Sequence, residues 1–165
     1  MRFDPPASVV AEVVAAALAE DIGLLGDITS IACIREDQTA SAAFVARDEG
    51  VVAGTALVDE VYRQIDADID VRWHLNDGDA VEPGSVIGEV VGSLQPVLTG
   101  ERVALNFLCH CSGIATMTRR YVRATRGKAH ISIPARQCRA CGASNGPRYA
   151  PAAVSTTAIR CQPRC

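Results

Sequence analysis

GERVALNFLCHCSGIATMTRRYV, residues 100–122, carries the longest helical pattern in the chain. Its apolar residues recur at three- and four-residue intervals with polar residues between them, and no proline interrupts it. The spacing predicts a long helix over 101–126, with a break at Ser112-Gly113. Arg119, Arg120, Arg123 and Arg126 place positive charge toward its C-terminal end, where the helix dipole favours cations.

The segments upstream supply what such a helix packs against. ASVVAEVVAAALAE (7–20) has Val10, Val13, Val14, Ala17 and Leu18 at helical spacing, with Ser8 placed to cap it. Gly23 and Gly26 end that helix, and GDITS reads as a turn using Asp27 and Thr29. Residues 39–46 read as a strand, and GVVAG (50–54) opens the next element after the Asp48-Glu49-Gly50 turn. Residues 55–66 read as a helix with Leu57, Val58, Val61 and Ile65 on one face. Ile69, Val71, Trp73 and Leu75 alternate as a half-buried strand does. NDGD (76–79) is a turn, a short strand is centred on 86–91, and Leu94–Leu98 follows. This order implies an α+β layer arrangement with the sheet covered on one face.

Composition divides the chain in two. Its 165 residues are 48% apolar, enough for a core. Residues 1–131 hold 11 Lys and Arg against 19 acids, net −8. Residues 132–165 hold five Arg and no acid, net +5, with four of the seven cysteines and neither periodicity. No apolar run approaches the roughly 20 residues of a membrane span. MRFDPPASVV has no basic-then-apolar signal design, so a cytoplasmic protein is expected. The acidic body disfavours nucleic acid as a partner.

Several residues are candidates for chemistry. Cys138-x2-Cys141 and Cys161-x3-Cys165 have the pairing of a four-thiolate zinc site, which would make the chain a small zinc-binding interaction module. Cys109-His110-Cys111 is a cluster in sequence only, because helical neighbours point about 100° apart. Cys33 reads as a core cysteine. Glu20, Asp21 and Asp27 read as helix-end and turn residues before they read as an acid/base or metal cluster. DGDAVEPGSVIGEVVG (77–92) has the rhythm of a biotinyl or lipoyl carrier. The chain's one lysine, Lys128, is in the wrong place to hold that cofactor. Arg102 is a candidate anion ligand, since its guanidinium fork matches a carboxylate. Glu101 is placed to orient it or to cap the helix.

Four phrases in this order resemble quinolinate phosphoribosyltransferase, also called nicotinate-nucleotide pyrophosphorylase (carboxylating). They are AEDIG-x2-GDITS (19–30), GVVAG (50–54), DGDAVEPG (77–84) and GERVALNFLCHCSGIATMTRRYV (100–122). The resemblance implies the family's N-terminal α/β sandwich domain over 1–110 and the start of a truncated α/β barrel over 111–131. It implies transfer of phosphoribosyl from phosphoribosyl pyrophosphate, with Mg²⁺, to quinolinate. Nicotinate mononucleotide, pyrophosphate and CO₂ are the products, in NAD biosynthesis. It makes Arg102 a quinolinate ligand in the neighbouring subunit's site, hence a homodimer or larger. The family's Asp-Thr-Arg-Lys-Thr motif, which supplies the catalytic lysine, does not occur in the 165 residues. The chain is therefore expected to be an inactive fragment that binds no cofactor itself.

Residues 132–165 then read as a shifted reading frame. Ser132–Arg139 can be encoded TCG ATA CCC GCA AGA CAA TGC CGG. Read from its third base, that string gives Asp-Thr-Arg-Lys-Thr-Met-Pro. The same shift over Arg148–Ala158 permits Val-Arg-Ala-Gly-Gly-Gly-x-Asn-His-Arg, which resembles a second phrase of the family's barrel. Two of three bases in each recovered codon are fixed by the protein, and one shift fits both motifs. On that reading the tail is non-native and irregular, and its cysteines are accidents of frame.

Overall fold

The computed structural model describes residues 5–23 and 26–126. The four tail cysteines and the expected irregular tail lie outside the described residues. Four helices and five strands are present among those described: α1 (Ala7–Ile22), α2 (Ile28–Cys33), β1 (Thr39–Val45), β2 (Gly50–Val51), α3 (Thr55–Ile65), β3 (Asp70–Trp73), β4 (Ala80–Val81), β5 (Val86–Ser93) and α4 (Leu94–Thr125). The mixed helix and sheet class is as expected.

The main sheet has strand order β1-β5-β3, all pairs antiparallel, and β2 pairs with β4 in a separate ribbon. The register places Ala42 opposite Val90 and Phe44 opposite Gly88, with Val71 and Trp73 flanking from β3. Period-2 alternation then puts these residues on one face, where Ala42, Phe44 and Val90 are buried. The opposite face carries Arg72, Glu89 and Asp70, so the sheet is covered on one side. Phe44 stacks on Trp73 across β5, ring centroids 5.5 Å apart. Gly88 allows this: a Cβ there would stand 2.7 Å from the Trp73 ring.

The helices close the core. Val14 and Leu18 of α1, Val58, Val61 and Tyr62 of α3, and Val97, Val103, Ala104 and Leu108 of α4 join the sheet residues in one cluster. α3 lies against α4 where Gly100 leaves no side chain; a Cβ there would meet Ile65 at 2.8 Å and Tyr62 at 2.9 Å. The Tyr62 hydroxyl is buried without a hydrogen-bond partner among the described residues, and burial pushes its pKa up.

The long helix differs from expectation at two points. It starts at Leu94, not 101, and it passes Ser112-Gly113 unbroken. Pro96 is tolerated near the start because first-turn N–H groups have no intrahelical acceptor to lose. At about 1.5 Å per residue, 32 residues make a rod of roughly 48 Å. The division expected at residue 110 falls inside this helix. Two further expectations are corrected. Ser8 lies inside α1, whose N-cap residue is Pro6, and Val13 is 42% exposed. No helix among the described residues is long and apolar enough to cross a membrane.

Candidate functional site

The phrase GDITS is more than a turn. Its last three residues open α2, and Asp27 is the N-cap: the Ser30 N–H donates to Asp27 Oδ1 (3.1 Å) and the Ser30 hydroxyl to Oδ2 (2.5 Å). These bonds, led by the Ser30 hydroxyl, hold the Asp27 carboxyl below its usual range. The Thr99 hydroxyl also reaches Asp27 Oδ2, at 3.2 Å. Gln95 Nε2 donates to the carbonyls of Ile34 (2.7 Å) and Ser30 (3.3 Å). The first turns of α4 thereby fasten α2, and Arg102 follows Thr99 by three residues on the same side of the helix.

Arg102 stands 75% exposed at the edge of an open cleft of about 300 Å³. Asp21, Gly26, Asp27, Thr29 and Thr99 line the cleft with it. Its Nη1 donates to Asp21 Oδ1 at 3.0 Å, and the Asp21 side chain is 24% exposed. Asp21 and Asp27 therefore do not form an acid/base pair. One holds Arg102 and the other caps α2. Glu101 neither caps α4 nor holds Arg102. It lies about two turns inside the helix, where its charge helps to raise the Tyr62 pKa.

No group of three His, Cys, Asp or Glu able to hold a metal occurs among the described residues. Cys109 and Cys111 are half-buried, while His110 is exposed. Cys33 is exposed, not in the core, because α2 is a short surface helix held to α4 through its backbone.

The other two phrases are structural contacts. GVVAG lies along α4, where Ser112 and Thr116 take over backbone bonding: Ala53 N–H donates to Ser112 Oγ (3.1 Å) and Val51 N–H to Thr116 Oγ1 (2.9 Å). Asp77 of the NDGD turn caps α3 from a distance, accepting from Gly54 N–H and Thr55 N–H, each at 3.1 Å. Sequence reasoning missed Asp21, Ser112, Thr116 and Asp77 in these roles. Only the Asn-Asp-Gly-Asp turn signal pointed toward one of them.

Comparison with known proteins follows the same residues. The family model for quinolinate phosphoribosyl transferase, N-terminal domain, matches residues 27–112, just over half of the chain. A quinolinate phosphoribosyltransferase [decarboxylating] of Nicotiana glauca is 44% identical over 108 residues, 66% of this chain and 31% of that protein. A probable nicotinate-nucleotide pyrophosphorylase [carboxylating] of Bacillus subtilis is 44% identical over 104 residues, 63% of this chain and 35% of that protein. The crystal structure of NadC from Streptococcus pyogenes superposes with a TM-score of 0.72 at 35% identity, covering 76% of this chain and 44% of that one. The chain thus spans about a third of the length of the curated relatives it matches. It belongs to the quinolinate phosphoribosyltransferase family, and its resemblance lies in that family's N-terminal domain.

Proposed function

We propose that residues 1–131 are the N-terminal part of an enzyme joining quinolinate to phosphoribosyl pyrophosphate. The C–N bond to the ribose forms as pyrophosphate leaves, and one quinolinate carboxylate departs as CO₂. The carrying observation is Arg102: a cation 75% exposed, fixed at one nitrogen, on the element that bears the family's longest phrase. A guanidinium so placed matches a carboxylate of the substrate. It would do so in the site of a neighbouring subunit, with a homodimer or larger as the working form.

The body at net −8 does not by itself supply the field the reaction needs. Charge collects on the leaving pyrophosphate, and cations must meet it there. On this reading those cations come from a barrel whose Asp-Thr-Arg-Lys-Thr motif is hidden in the shifted frame of residues 132–139. The 165-residue product alone then forms no nicotinate mononucleotide from quinolinate and phosphoribosyl pyrophosphate with Mg²⁺. Measurable product from the purified chain would overturn that statement. Resequencing the gene across the codons for Lys128–Arg139 tests the frame. An intact frame, matched by peptide masses of the tail, would remove the shift.

A further inference from the structure

The geometry points to Asp21 as the positioning residue of Arg102, holding one edge of its guanidinium so that the opposite edge meets a substrate carboxylate. This inference rests on the reading of Arg102 as a carboxylate ligand. Asp21 sits in the last turn of α1, 81 residues from Arg102 in sequence. Its side chain is 24% exposed against 75% for Arg102, so Asp21 is the more covered member of the pair. Among the described residues, the Arg102 hydrogen bond runs through Nη1 alone. The Nη2–Nε edge keeps two parallel donors, the geometry that a carboxylate accepts in bidentate fashion.

The charges around the cleft say from which side a ligand comes. Asp21 and Asp27 both line it, against Arg102. The cleft interior repels an anion, and a carboxylate is met on the outward edge. Asp27 is engaged by Ser30 and Thr99, which leaves Asp21 to hold the guanidinium. Holding a long arginine side chain in one arrangement is worth up to about tenfold in capture of a ligand. Repulsion between Asp21 and a carboxylate on the far edge, about 8 Å away in water, costs no more than about threefold. Positioning outweighs repulsion.

The test uses the full 165-residue chain, ¹⁵N-labelled, with guanidinium signals followed by NMR and the Arg102 signals assigned from Arg102→Ala. In the wild-type chain, rotation of the Arg102 guanidinium is slowed, and millimolar quinolinate shifts its Nε signal. Asp21→Asn is expected to free the rotation and weaken the quinolinate response about threefold. Asp21→Glu restores both, and backbone amide spectra stay unchanged throughout. Equal rotation and equal or stronger quinolinate response in Asp21→Asn overturn the inference while leaving the Arg102 reading intact. No quinolinate response in either chain overturns the inference; the Arg102 reading, which places quinolinate in a neighbouring subunit's site, is overturned separately by an assembled family enzyme carrying this segment that is indifferent to Arg102→Ala.

Discussion

Gly54 and Gly78 have almost the same φ, 98° and 99°, but different surroundings. A Cβ at Gly54 would stand 3.0 Å from Cys111 Cβ and 3.3 Å from its Sγ, whereas a Cβ at Gly78 meets nothing within 4 Å. Substituting alanine at each separates two costs. Left-handed backbone strain, about 1–2 kcal/mol, applies to both. Overpacking against α4, about 1–3 kcal/mol, applies only to Gly54→Ala. The expected destabilisation is therefore about 1–2 kcal/mol for Gly78→Ala and about 2–5 kcal/mol for Gly54→Ala. Urea unfolding with an unchanged slope measures the difference. With a slope of about 1–3 kcal/mol/M, the two midpoints should lie roughly 1 M apart. Equal midpoints would refute the close seating of the GVVAG segment on α4.

Three further expectations follow from single contacts. Asp77→Ala removes the acceptor of two backbone N–H groups at the start of α3 and should cost about 1–2 kcal/mol by urea unfolding; Asp77→Asn should cost less. Asp27 has a folded-state pKa below its unfolded value, so the stability it contributes is full above the unfolded pKa near 3.8 and is lost as pH falls through the folded one. The melting temperature of wild type should accordingly exceed that of Asp27→Asn at pH 6, with the gap closing toward pH 2; a gap constant with pH would contradict the capping role. On α4, Ile114, Met117, Tyr121 and Val122 are each 47–59% exposed. The chain should self-associate through this face, and Met117→Gln with Val122→Gln should reduce that association in sedimentation without changing the unfolding free energy by more than about 0.5 kcal/mol.

The helices and the main sheet were legible because their signals are periodic. Val58 and Val61 on α3, and the alternation through Trp73 on β3, read directly as buried faces. The start of α4 was not legible, because β5 runs into it at Ser93 without a loop, and the helical pattern was read only from residue 101, after Gly100. α2 was hidden for a related reason. Six residues cannot show a period, and Asp27 and Thr29 suit a turn as well as a cap. At the site, Arg102 was legible through the family phrase, but its partner was not. Asp21 lies 81 residues away, and nothing in the local pattern distinguishes a carboxylate that holds an arginine from one that faces water.

On the proposed function, this N-terminal domain presents Arg102 to a dicarboxylate in another subunit's site. The most direct measurement replaces the matching N-terminal segment of the Bacillus subtilis relative with residues 1–126 of this chain. Nicotinate mononucleotide formation is then followed from quinolinate and phosphoribosyl pyrophosphate. The expected result is an active chimera whose Arg102→Ala variant loses at least about a hundredfold in kcat/KM, a loss of roughly 2.7 kcal/mol of transition-state stabilisation. A folded chimera with no activity, or one indifferent to Arg102→Ala, would contradict it.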